Sequence, residues 1–248
     1  MFSYIFYRIG EMLVLNLPLK AAYAIAVFLS DLRYLFAFSD RKVVTENLKI
    51  IFPDKNDKEI SRIRIQVFRN FAKYLVDFLR FKKLDMDYIK RNVKLINMEY
   101  IKSGLSRGNG VILVSAHLGN WELGGVVVSM MGYSLSTVAL PHKSKVVTNF
   151  FSKQRENKGL KVFLLGNAAR GCLKALRQNQ MIALVGDRDF TENGKIIDFF
   201  GKPAILPEGP AVFSLQTGAA IIPAFMLRNK DDSFSLIFEK PLEYAVSG

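Results

Sequence analysis

The chain is poor in several residue types on which functional sites are built. Its one cysteine, Cys172, excludes an internal disulfide framework and fits a reducing compartment. A lone cysteine in a helical stretch reads as a small buried residue rather than a nucleophile. Two histidines, His117 and His142, are too few for a histidine-rich metal centre, so no metal and no cofactor is expected. No uncharged apolar run reaches the roughly 18 residues a bilayer-spanning helix needs. No convincing small-residue cleavage site follows the first apolar stretch, which argues against a cleaved signal peptide. Internal repeats, low-complexity tracts and long linkers are absent.

What the chain has in abundance is apolar and basic side chains. Half of its 248 residues are hydrophobic, with 20 Phe and 9 Tyr, enough to bury the core of one sizeable domain. The formal charge of +13 calls for an anionic partner: nucleic acid, an acidic carrier protein or anionic lipid headgroups. Lys and Arg are scattered and no nucleic-acid module is recognisable, so no nucleic-acid partner is expected.

The apolar excess is concentrated near the N-terminus. Residues 2–17 are apolar nearly all round apart from Arg8, Glu11 and a few small or polar residues. Pro18 ends the stretch, and residues 21–38 are again apolar but carry Asp31 and Arg33. The pattern predicts an apolar helical, membrane-associating segment over 1–39, lying in one leaflet without crossing. The competing reading is a pair of helices that simply cover the core. The remainder, 40–248, forms the second expected unit.

Asn56 and Glu59 have the spacing of a capping box before a long helix. Ile60, Ile63, Val67, Phe71, Tyr74, Leu75 and Phe78 follow at helical spacing, leaving Arg62, Arg64, Arg69 and Lys73 on a solvated face. Further on, Val111–Val114, Leu135–Leu140, Val162–Leu165, Met181–Val185 and Ala220–Leu227 read as strands. They alternate with helical patterns over about 145–157, 167–178 and 209–217. Ser233–Glu239 adds an expected edge strand. The fold class is therefore α/β, a mixed, largely parallel sheet flanked by helices, with its ligand site at the strand ends.

Residues 108–125, GNGVILVSAHLGNWELGG, concentrate the chemistry. Val111–Val114 starts a buried strand, His117 lies just past its end, and Asn120 is the expected N-cap of a helix from Trp121 to about Met131. On one continuous helix, five residues would separate His117 from Glu122 by about 140°. With His117 in the turn and Glu122 in the first helical turn, the carboxylate can fold back onto one imidazole nitrogen. The other nitrogen is then free to act as a base. The alternative is a histidine that caps a strand end and a glutamate that complements the helix dipole. His142 is a rival base without a carboxylate at useful spacing. Ser115 lacks the glycine elbow of a serine nucleophile.

The stretch HLGNWE resembles the His-x4-Asp/Glu signature of glycerolipid and lipid A acyltransferases. SAHLGNWELGG is most similar to the late lipid A (lauroyl/myristoyl) acyltransferases and to the phosphatidylinositol mannoside acyltransferases. The resemblance runs from about residues 41–48 onward and includes VGDRDFTENGKIIDFFGKPAILPEGPAVFSLQTGAAIIPAF over 185–225. It implies transfer of a fatty acyl chain from acyl carrier protein or acyl-CoA to a hydroxyl of a membrane glycolipid, at the cytoplasmic face of a bacterial inner membrane. His117 and Glu122 would be catalytic, with His117 as general base.

The same resemblance assigns Arg188 to a phosphate, with Asp187 and Asp189 holding its loop. Arg155 is the second basic candidate by its context. Pro210 replaces a threonine usual in the glycerolipid enzymes, whereas Gly209 and the following helix N-terminus still offer backbone donors to an anion. Trp121 and Phe190 are candidates for the acyl groove or for plain core. A lipid A precursor is the first acceptor. A phosphatidylinositol mannoside or a lysophospholipid is the enzymatic alternative, and a catalytically inactive membrane-binding homologue the non-enzymatic one. The resembling families continue through a further helical segment, so a truncated C-terminus is expected.

Overall fold

A computed structural model gives the arrangement of these elements and describes residues 2–166, 168–190 and 194–244. Helices α1 (Phe2–Asn16), α2 (Leu19–Phe36), α3 (Phe38–Ile51), α4 (Asp57–Leu79) and α5 (Met86–Asn92) precede the first strand, β1 (Val93–Ile96). There follow α6 (Glu99–Ser106), β2 (Val111–Ser115), α7 (Trp121–Met130), β3 (Leu135–Ala139), α8 (Lys145–Glu156), β4 (Lys161–Leu164), α9 (Ala168–Arg177) and β5 (Met181–Val185). The hairpin β6 (Lys195–Phe199) and β7 (Lys202–Leu206), then α10 (Gly209–Thr217), β8 (Ala220–Arg228) and β9 (Phe234–Phe238), complete the chain.

The seven-stranded sheet has the order β1-β9-β8-β2-β5-β3-β4, and every pairing is parallel except β8 with β9. This is the mixed, largely parallel sheet expected from the alternation of strands and helices. Parallel strands buried on both faces read as continuous apolar runs, and β2 shows why. Val111 and Leu113 enter the core cluster that holds Phe78, Leu123 and Val126, while Ile112 enters the opposite one with Cys172, Leu176 and Ile182. Cys172 is thus the small buried residue its context predicts, and burial raises its thiol pKa to about 11.

One strand expectation changes, and three strands, β1, β6 and β7, are added. Ser233–Glu239 contains β9, but β9 is interior, because β1 pairs along its outer side from Val93↔Phe234 to Ile96↔Ile237. The four residues of β1 lie between two helices, bounded by Asn92 and by Asn97, whose φ is +60°, and are too short a run to stand out from the helical pattern around them. The antiparallel β6/β7 hairpin, within the matched 185–225 block, forms a small sheet of its own.

Helix α4 begins with the capping box as expected: Asn56 accepts from the Lys58 and Glu59 N–H groups, and Glu59 accepts from the Asn56 N–H. Its C-terminal half is buried, but Val67 and Phe71 are exposed, so the apolar stripe is only partly covered. The cations on the other face are not simply solvated. Arg69 forms two 2.8 Å hydrogen bonds to Asp31 on α2, and Arg64 reaches Tyr34 at 2.7 Å and Thr45 at 2.6 Å. These contacts dock α2 and α3 onto α4. Helix α1 is fastened through Glu11, which is buried and held by Lys82 at 2.9 Å and Gln154 at 2.7 Å. Helix α3 runs continuously through residues 39 and 40.

Among the described residues, no single helix is long and apolar enough to cross a membrane; α2 and α3 pass such a test only together, across a 95° bend. The outer faces of α1 and α2 are nonetheless strongly apolar, with Phe6, Phe28 and Phe36 each more than two-thirds exposed.

Candidate active site

The site is set by strand register. β2 and β5 pair in parallel with Ser115 beside Val185, and the Gly186 N–H donates to the Ser115 carbonyl at 2.8 Å. Two residues beyond each strand end, His117 therefore faces Asp187. The imidazole Nδ1 lies 2.9 Å from Asp187 Oδ1, and the His117 backbone N–H donates to Oδ2, also at 2.9 Å. Burial pushes the Asp187 pKa up, but the hydrogen bonds from His117 outweigh it and hold the carboxyl below its usual range. An ionised Asp187 fixes the proton of a neutral imidazole on Nδ1, leaving Nε2 with its lone pair. Among the described residues no hydrogen bond occupies Nε2.

The ring is also held from the side. Trp121 meets it edge-on with centroids 4.7 Å apart, and Trp121 in turn stacks on Tyr74 at 4.7 Å.

The expectation that Glu122 folds back onto His117 is corrected. Both Glu122 oxygens accept from Arg155, Oε2 from Nε at 2.7 Å and Oε1 from the terminal nitrogen at 2.5 Å. The pair joins the first turn of α7 to α8, with the guanidinium 5.4 Å from the Phe78 ring centroid. Both side chains are only 11% exposed. Asp187, not Glu122, is the carboxylate on the imidazole. Sequence distance misled here: five residues place Glu122 near His117 in the chain, whereas the parallel register brings in a residue 70 positions away.

The turn between His117 and α7 explains its glycine. Gly119 has φ +65°, and a Cβ there would lie 2.0 Å from the Met226 carbonyl oxygen, which the Asn120 N–H approaches at 2.8 Å. Gly119→Ala combines the roughly 1–2 kcal/mol cost of a left-handed residue with a backbone collision. It should lower the melting temperature, and thermal denaturation checks it.

Asn120 caps α7 as expected, accepting from the Leu123 N–H at 3.1 Å. Its amide also donates to the buried Asp77 at 2.8 Å. Asp77 accepts as well from Tyr23 on α2 and from Arg228 on β8. This network, which sequence reasoning missed, ties an N-terminal helix to the loop carrying His117. The only signal for Asp77 was a carboxylate within a largely buried helical segment. Burial raises the Asp77 pKa. Asp77→Asn replaces one acceptor oxygen by an NH2 group facing donors, so a stability loss of about 1–3 kcal/mol is expected from chemical denaturation.

Over the strand ends lies a cavity of about 600 Å³. It is lined by His117, Trp121, Glu122 and Arg155 and by Arg188, Asp189, Phe190, Glu208 and Gly209. Much of the remaining wall is apolar, including Leu140, Phe151, Leu164, Leu184 and Phe213.

Residues 1–246 match the family described as bacterial lipid A biosynthesis acyltransferase. The chain belongs to that family. It is 29% identical over 222 residues to a phosphatidylinositol mannoside acyltransferase of Mycolicibacterium smegmatis, covering 88% of this chain and 72% of that protein. A phosphatidylinositol mannoside acyltransferase of Mycobacterium tuberculosis is 28% identical over 160 residues, 62% of this chain and about half (51%) of that protein. The lipid A biosynthesis lauroyltransferase of Escherichia coli is 24% identical over 235 residues, 92% of this chain and 75% of the other.

In this member of the lipid A acyltransferase family, that cavity gathers most residues expected from the sequence. Arg188 packs over the Phe190 ring, 4.6 Å from its centroid, and Asp189 accepts from the Gly194 N–H at 3.2 Å. Gly209 opens α10 with Pro210 behind it, beside Glu208, which Lys195 approaches at 3.5 Å. His142 also lines the cavity, 4.6 Å from the Phe151 ring centroid. Burial and the nearby Arg155 charge lower its pKa, and no carboxylate supports its ring among the described residues. Trp121 and Phe190 both border the cavity.

Proposed function

We propose that the chain is an O-acyltransferase that moves a fatty acyl group from an acyl thioester to a hydroxyl of a membrane glycolipid, with His117 as general base. The observation that carries this is the His117–Asp187 pair, 2.9 Å apart, at an apolar cavity over the sheet ends. Nε2 takes the proton of the acceptor hydroxyl as its oxygen attacks the thioester carbonyl. Asp187 stabilises the imidazolium that results. Collapse of the tetrahedral intermediate breaks the C–S bond, and the imidazolium returns its proton to the departing thiolate, which leaves as a thiol. Ester and thiol are the only products, and no covalent enzyme intermediate is required.

The apolar wall suits the acyl chain. Arg188 is placed to meet an acceptor or donor phosphate, Asp187 and Asp189 hold its loop, and the Gly209 end of α10 offers backbone N–H groups to the same anion. Glu122 and Arg155 serve as the fixed floor that positions Trp121 and, through it, the imidazole. The donor is acyl carrier protein or acyl-CoA; the +13 charge of the chain attracts either acidic donor.

The acceptor of first choice is a lipid A precursor, as the family description suggests. A phosphatidylinositol mannoside is the second, supported by the likeness to the Mycolicibacterium smegmatis enzyme. The exposed faces of α1 and α2 support a monotopic position on the cytoplasmic face of the inner membrane, beside anionic headgroups.

Mass spectrometry of lipids from cells lacking the protein, complemented with wild type or His117→Ala, tests the acceptor. Loss of one acyl chain from lipid A, restored only by wild type, is the expected result. An unchanged lipid A with accumulation of an under-acylated mannoside moves the same chemistry to the second acceptor. Full restoration by His117→Ala refutes the role of His117.

A further inference from the structure

The β6/β7 hairpin is an uncovered apolar projection with a strained aromatic at its tip. Its five cross-strand pairs run from Lys195↔Leu206 to Phe199↔Lys202, leaving Phe200-Gly201 as a two-residue turn. Both turn residues have positive φ, +56° and +71°. Such a turn favours Asn-Gly, and a bulky side chain at its first position is disfavoured. Phe200 nevertheless sits there, 55% exposed and edge-on to Phe199 at 4.6 Å. Neither face of the hairpin is packed: Ile196 and Ile205, a direct pair, are 72% and 53% exposed, and Ile197 on the other face is 47% exposed. An isolated two-stranded hairpin of this kind needs something to cover it.

We propose that this hairpin inserts its Phe199-Phe200 tip into the interfacial region of an anionic bilayer, as a second membrane contact separate from α1 and α2. Three observations favour a bilayer over a protein groove. Aromatic side chains at a tip partition to the membrane interface without needing a shaped partner. Lys202, next to the tip, complements anionic headgroups, whereas Lys195 lies at the base of the hairpin near Glu208, and the Asp198 carboxylate is turned back onto the Gly201 N–H at 3.0 Å. The base of the hairpin, at Gly194 and Pro207, borders the catalytic cavity, so a tip at the headgroup level brings lipid hydroxyls to the cavity mouth.

The inference rests on the membrane reading above, and the test separates the two. In the full chain, Phe200→Cys or Phe28→Cys carries an environment-sensitive fluorophore; Cys172 is buried and stays unlabelled. Each protein is mixed with vesicles of phosphatidylethanolamine and phosphatidylglycerol. Blue-shifted emission from both positions is the expected result. A shift at position 28 alone overturns the hairpin contact and leaves the membrane reading standing. No shift at either position removes both. A shift at position 200 only on adding acyl carrier protein makes the hairpin a protein dock and overturns the proposal.

A second variant guards against misfolding. Phe200→Asn supplies the residue the turn favours, so its melting temperature should rise, while its partitioning into the same vesicles falls about tenfold. Unchanged partitioning with a raised melting temperature contradicts the proposal.

Discussion

Asp187→Asn should reduce acyl transfer by roughly 10²- to 10⁴-fold while leaving the fold intact, and His117→Ala should reduce it by at least as much. The amide keeps the shape of the carboxylate but neither fixes the neutral tautomer nor stabilises the imidazolium. Initial rates with a thioester donor and a purified glycolipid acceptor, at matched folded protein, measure the loss. Glu122→Gln provides the contrast, because its carboxylate touches Arg155 and not the imidazole. At matched folded fraction, its rate should fall far less than that of Asp187→Asn.

The pH dependence of stability follows from the same pair. The Asp187 pKa is lowered in the folded chain, so its stabilising contribution is fully present above the ordinary aspartate value of about 4 and is lost as pH falls through the depressed one. The stability that Asp187 adds over Asp187→Asn should therefore shrink as pH falls below about 4. Chemical denaturation across that range checks it.

Arg155→Ala should cost about 3–5 kcal/mol of stability, because it leaves Glu122 charged, nearly buried and unpaired. In a chain of this size the melting temperature should fall on the order of 10 °C. Replacing both partners together, as Glu122→Leu with Arg155→Met, should recover much of that loss, since the desolvation of two charges is then avoided. Differential scanning calorimetry of the single and double variants gives the comparison. If Arg155 instead bound substrate phosphate directly, the single variant would keep its stability and raise KM for the phosphorylated substrate.

The central strand and the helix cap were legible because they depend on local pattern. Val111 to Val114 is an uninterrupted apolar run, and Asn120 precedes a helical apolar stretch, so residue type alone places both. The His117 partner was not legible, since Asp187 and Glu122 are both carboxylates near strand or helix ends. The choice between them is made by the β2/β5 register, a non-local quantity. The interior place of β9 depends likewise on β1, four residues that pair with it from far along the chain. Asp77 looked like one more polar residue on a helix, until α2, α7 and β8 converged on it.

In the N-terminal region it was the polar residues whose role was hidden. Its apolar composition was plain, but the polar residues that interrupt it proved to be fastenings. Glu11 reaches Lys82 and Gln154 on α8, while Asp31 and Tyr23 reach Arg69 and Asp77 on α4. These contacts dock the helices to the catalytic layer and leave Phe6, Phe28 and Phe36 facing outward.

The most direct test of the central claim is transfer by the purified chain from a thioester donor to a glycolipid acceptor, followed by mass spectrometry of the lipid and of the intact protein. Direct attack with His117 as base predicts acylated lipid from wild type, none above background from His117→Ala, and no acyl adduct on either protein. Wild-type turnover by His117→Ala, or an acyl group carried on the protein during turnover, would contradict it.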